Sequence, residues 1–271
     1  KSGNLAFAGA FDGSQGSIQV SPGASLTFLG MVNSVGTVTG TVTFGGHQHE
    51  LSSGTLQDVV ITNNLVIKNG SSISVNGTIT TNGTFKLDAT TSVAYAYLAG
   101  DTTLAGSGQT VLGNNSNNRI TTVGNGVART LTIANGHTVR GGGVVGDNVV
   151  NLINNGTLIA DAPSGMTVTT NSFDNTNGLI EVANNVALSN IGTIDGGTIQ
   201  GFGMGRLANG GSGSTFQNLL LKGGLFINSG TLSNVTISDT LTLANGSTIS
   251  LKDTITTNGT FKLDATTSVA Y

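Results

Sequence analysis

The chain has 271 residues, of which 8% are charged, 42 are Gly, 2 are Pro and none is Cys, with a net charge of −3. So few charges at a mean hydropathy of +0.15 argue against a disordered chain, and the absence of any Lys/Arg cluster sets nucleic acid aside as a partner. Lack of Cys removes disulfides and thiolate metal sites, and no apolar run approaches the ~18–20 residues of a transmembrane segment.

In chain order, the opening KSGNLAFAGAF has no basic stretch followed by an apolar run, so it is not an intact signal peptide. Thr37-Val38-Thr39-Gly40-Thr41-Val42-Thr43 alternates as a strand does. A flat Thr face of this kind can order water, which makes an ice-binding solenoid a minor alternative. His47-Gln48-His49-Glu50 is the one concentrated titratable cluster. On a strand His47 and His49 share a face, the start of a metal site. A second pair of ligands is missing, so surface histidines in a loop are expected and no metal is assigned.

From residue 55 on, the apolar residues come in short alternating pieces: Leu65-Val66-Ile67, Ile73-Ser74-Val75, Phe85-Lys86-Leu87, Leu131-Thr132-Ile133 and Leu241-Thr242-Leu243. Period-two alternation over three to five residues predicts strands. Asn-Gly steps at 69–70, 76–77, 82–83, 135–136, 155–156, 177–178, 209–210, 245–246 and 258–259 separate them. Both residues tolerate positive φ and suit tight turns. The sequons at Asn69, Asn76, Asn82, Asn114, Asn155, Asn234, Asn245 and Asn258 arise mostly from these turns. Gly141-Gly142-Gly143 and Gly201-Phe202-Gly203-Met204-Gly205 lack a phosphate-loop pattern and read as tight corners. Asp residues are solitary and Glu50 and Glu181 are the only Glu. No catalytic, cofactor or metal residues are assigned, and the chain is not expected to be an enzyme.

The repeats set the architecture. Thr78–Tyr95, TITTNGTFKLDATTSVAY, returns unchanged at Thr254–Tyr271, an offset of 176 (254 − 78). The offset extends upstream through Gly54-Thr55-Leu56 and Gly230-Thr231-Leu232, then faintly through Gly16-Ser17-Ile18 and Gly192-Thr193-Ile194. The stretch 1–95 therefore corresponds to 177–271. Inside the unit Leu65 and Ile67 return as Phe85 and Leu87, an offset of 20 (85 − 65). A period near 20, short strands and turn residues describe a coil that buries its apolar face only by stacking. The prediction is one all-β domain, a right-handed parallel β-helix of about 13 rungs, with eight or nine rungs per long unit. Leu65, Ile67, Phe85, Leu87, Leu241, Leu243, Phe261 and Leu263 should be inside. The competing architecture is an antiparallel sandwich or barrel, since Asn-Gly also favours hairpins.

LINNGTLIADAPSGMTVTTNSFDNTNGLIEV, Leu152–Val182, resembles the passenger regions of filamentous-haemagglutinin-like exoproteins and autotransporter adhesins. The phrases NNGTL and GGTIQG carry the resemblance. It implies a structural stalk, filament or adhesin segment of a large secreted protein at a bacterial cell surface, of which this chain is an interior piece. Adjacent repeats would be its partners, with host or surface glycans as further candidates. A polysaccharide-binding or polysaccharide-cleaving β-helix is the alternative. Bare rung edges further predict weak end-to-end association between 254–271 and 1–16.

Overall fold

The computed structural model describes residues 4–7, 11–21, 24–28, 32–40, 42–44, 49–124, 126–209 and 213–264. Among them the chain is all β, a parallel solenoid of about 11 turns spaced by roughly 21 residues. Every described strand pairing is parallel, which removes the antiparallel sandwich and barrel. Turn length is uneven. Thr102 lies beneath Leu131, an offset of 29 (131 − 102), and Ile120 beneath Val145, an offset of 25 (145 − 120).

Each turn has three faces. Between Gln109–Leu112 and Leu179–Val182 every strand pairs with the third strand after it. The first face runs through 55–57, 71–76, 94–98, Asn118–Thr122, Gly143–Gly146 and Met166–Thr169, then on to 225–227 and 240–243. The second runs through 59–61, 77–81, 102–104, Arg129–Ile133, Val150–Asn154 and Ser172–Asp174, then Thr215–Gln217, 231–233 and 250–252. The third runs through Asn64–Lys68, Thr84–Asp88, Gln109–Leu112, Thr138–Gly141, Thr157–Ala160 and Leu179–Val182 to 198–201 and 220–223.

Alternation then fills the core. On the third face Leu65, Phe85, Thr110, Val139, Leu158, Ile180, Ile199 and Leu221 stand one above another in unbroken register. All eight are buried, and seven are apolar. At one end Phe7, Phe28 and Phe44 stack with ring centroids 5.7 and 5.5 Å apart. Leu65, Ile67, Phe85, Leu87, Leu241 and Leu243 are inside as expected. Phe261 and Leu263 are corrections: Phe261 is only half-buried and Leu263 is 55% exposed. In the first copy Thr110 and Leu112 cover Phe85 and Leu87, whereas no described strand lies over Thr260–Leu263. A solenoid residue is buried by the turn above it as much as by its own apolarity.

The long repeat is kept in the pairing. Leu56 faces Val75 as Leu232 faces Leu251; Val59 faces Ile79 as Val235 faces Ile255; Leu65 faces Phe85 as Leu241 faces Phe261. Even the left-handed residues recur, Asp58 at φ 52° and Asn234 at 53°. Yet Leu56 lies on the first face and Leu232 on the second, while Leu65 lies on the third and Leu241 on the first. One long unit therefore spans eight turns and one further face, so the second copy sits one face round from the first. Upstream the correspondence slips, because Ser17 faces Thr37 whereas Thr193 faces Thr215, a longer turn in the second copy.

Candidate ligand-binding face

The sequence-level candidates scatter. His47 and Gln48 lie outside the described residues. His49 is fully buried, edge-on to Phe44 at 5.6 Å and beneath Leu65 in the third-face column, so it is not a surface loop histidine. No group of three His, Asp or Glu side chains converges among the described residues. At Gly141, φ 113°, a Cβ would stand 1.8 Å from the Leu112 carbonyl oxygen, so this glycine run is a tight corner. The Thr alternation is carried between turns only in part: Thr37 has Ser17 and Thr55 as neighbours, whereas Thr39 is flanked by Gln19 and Gln57.

Sequon asparagines act as tethers between turns. The Asn69 side-chain oxygen accepts the N–H groups of Thr90, Thr91 and Ser92 at 2.8–3.0 Å. Asn114 accepts Ser164 N–H at 2.7 Å. Two core-facing asparagines form a ladder: Asn154 Nδ2 donates to Asn175 Oδ1 at 2.8 Å, and Asn175 Nδ2 donates to Gly196 O at 3.0 Å. Each lies in the core with its amide satisfied, as buried polar groups must be.

Carboxylates do meet on neighbouring turns. Asp174 and Asp195 are register partners. Thr176, through its hydroxyl and its N–H, holds Asp174 below the ordinary carboxylate range. Asn218 donates to Asp195 at 2.6 Å. Burial raises the Asp147 pKa, but hydrogen bonds from the Thr122 and Thr121 hydroxyls and from the Thr122 and Val149 amides outweigh it, leaving it lowered.

A buried titratable group escaped the sequence reading. His137 occupies the corner column otherwise built of Gly83, Gly108, Gly156, Gly178 and Gly197. It is fully buried, with Nε2 3.0 Å from the hydroxyl of Thr110, the polar member of the stack from Leu65 to Leu221. Burial lowers its pKa to about 4, against a smaller opposite pull from the Gly106 and Ala105 carbonyls.

The outer surface of the first face gathers the remaining chemistry. Ser17, Thr37, Thr55 and Ser74 are register partners on successive turns, and Tyr97 then Thr121 continue the line. One column over, Ser72, Tyr95 and Arg119 stack likewise. The Tyr95 and Tyr97 rings meet edge-on at 5.4 Å, and the Arg119 guanidinium lies 5.8 Å from the Tyr95 ring centre. Thr37, Thr55, Ser72, Ser74 and Tyr97 line an open groove of about 430 Å³. Burial, then the neighbouring Tyr95, raise the Tyr97 pKa, and Arg119 lowers it in part. The signal was present in Ala94-Tyr95-Ala96-Tyr97-Leu98: small apolar residues point in, so both rings must point out.

Fold and surface define the class as a parallel β-solenoid with a polar, aromatic-flanked groove along one face. Compared with protein-family models, curated proteins and solved structures, the chain matches none.

Proposed function

We propose that the chain is a structural segment, a stalk or filament shaft, of a large secreted or cell-surface bacterial protein of the filamentous-haemagglutinin or autotransporter adhesin kind. The observation that supports this most is the unbroken axial pairing over about 11 turns around one continuous apolar core. Such a rod is about 50 Å long at ~4.8 Å per turn and adds length by adding turns. Antibodies against the chain should decorate intact cells of the source organism; labelling only after permeabilisation would contradict a surface location.

The role is mechanical rather than catalytic. Asp58, Asp101, Asp147 and Asp174 each accept a backbone N–H, which ties these carboxylates into the fold and supports the reading. The polysaccharide-cleaving alternative predicts new chain ends from a polysaccharide incubated with the protein, lost on Asp174→Asn or Asp195→Asn. Adjacent turns are the first partners. Leu251 and Leu263, 53% and 55% exposed at the last described turn, further support weak end-on association. Sedimentation across a concentration series should show it, and Leu251→Lys with Leu263→Lys should abolish it. A strictly monomeric chain at high concentration rejects it.

A further inference from the structure

We propose that the groove beside Tyr97 binds an extended polysaccharide carrying carboxylate groups. Three observations converge. First, the groove runs along the rod axis. Its lining residues come from five successive turns, from Gly16 through Thr37, Thr55 and Ser74 to Tyr97, a span of ~19 Å at ~4.8 Å per turn. An extended chain fits such a track and a compact molecule does not. Second, the floor is a ladder of small hydroxyls, able to donate to and accept from sugar hydroxyls. Tyr97 closes the groove with an aromatic ring partly exposed, the amphipathic surface on which a sugar ring stacks its C–H face.

Third, Arg119, which has no carboxylate partner among the described residues, is set over the Tyr95 ring that meets Tyr97 edge-on. Arg119 stands outside the groove's lining, one turn beyond its Tyr97 end; its guanidinium is held over Tyr95, and its Nε donates to Ser116 O at 3.4 Å, which leaves the terminal nitrogens to meet a chain that runs past Tyr97. Asp147, three residues beyond Val144, the register partner of Arg119, already accepts from Thr121, Thr122 and Val149. A guanidinium placed this way suits a planar carboxylate, which it can grip with two parallel hydrogen bonds. Bulk charge does not draw the ligand in, since the chain carries −3, so recognition must come from this local arrangement. The proposal stands whether or not the chain serves as a shaft.

The test is calorimetric titration of the whole chain with an oligogalacturonate of the groove's length. Neutral maltohexaose, dextran sulfate and polyglutamate run in parallel, and a hyaluronan oligosaccharide serves as a second source of uronate. Saturable binding of the two uronate chains is expected, about tenfold or more tighter than of maltohexaose. Tyr97→Ala and Arg119→Gln should each weaken it about tenfold, with Arg119→Lys retaining part. Lys222→Gln, on the third face, should leave it unchanged, and circular dichroism checks that each variant keeps its strands. Absence of saturable uronate binding, equal binding of maltohexaose, or wild-type affinity in both variants overturns the proposal. Equal binding of polyglutamate or dextran sulfate overturns the sugar assignment.

Discussion

At the scale of single residues, side chains gain their roles from partners about one turn away in sequence, and this decides what the sequence could tell. Asn69 was legible as a turn residue from its Asn-Gly step, but its grip on 90–92 was not, because nothing local marks the neighbouring turn. His137 is the sharper case. In Asn135-Gly136-His137 it looks like one more turn residue, whereas stacking drives it into the core against Thr110. Its pKa of about 4 lies below the 6.5 of a free histidine, so the folded state disfavours its protonation. The resulting stability is complete above pH 6.5 and is lost as pH falls from 6.5 towards 4. A shift of that size amounts to about 3 kcal/mol. Asp147 and Asp174 are shifted down, so their contribution disappears only at more acidic pH, below the ordinary carboxylate value. Urea midpoints should therefore drop between pH 7 and 4.5, and the double variant Thr110→Val, His137→Leu should flatten that slope. An unchanged slope in the double variant would show that another group carries it.

At the scale of strands and corners, glycine separates into two kinds. Gly136, φ 84°, meets nothing within 4 Å of a built Cβ, so Gly136→Ala should cost only the left-handed strain, about 1–2 kcal/mol. Gly141 adds to its positive φ a Cβ position 1.8 Å from the Leu112 carbonyl. That corner must open, and Gly141→Ala should cost more than ~3 kcal/mol, above the usual range for one substitution. Thermal melts of the two variants side by side check the order. The sequence shows three glycines at 141–143 and one at 136 without ranking them, because the clash comes from the turn below. Strands were legible wherever a branched or aromatic residue alternated with a polar one. The failure came at Phe261 and Leu263, where the pattern was right and the covering turn is not among the described residues. Phe85→Ala, by contrast, removes a ring packed between Leu65 and Thr110 and should cost about 3–5 kcal/mol.

At the scale of the whole molecule, the parallel solenoid was legible from two periods, and the rotation between the long units was not. The long unit looks like a simple translation until turns are counted by face; insertions such as 123–128 make turn length uneven, so length alone does not give phase. The consequence is geometric. Equivalent residues of the two copies point from different faces, so a surface feature carried by both would be displayed in two directions along one rod. The groove escaped the sequence reading for the same reason, since Thr37, Thr55, Ser74 and Tyr97 become one surface only through register. Spin labels test that register directly in a chain without native cysteine. With one label at Thr55→Cys, the second at Tyr97→Cys, Thr169→Cys or Thr231→Cys gives three backbone separations. At ~4.8 Å per turn, the face-shifted solenoid predicts ~10 Å for two turns, ~24 Å for five, and more than ~38 Å for eight turns and a change of face. Distances that rise in this order, close to these values, support the stacked register. A Thr55–Thr231 separation shorter than Thr55–Thr169 would contradict it.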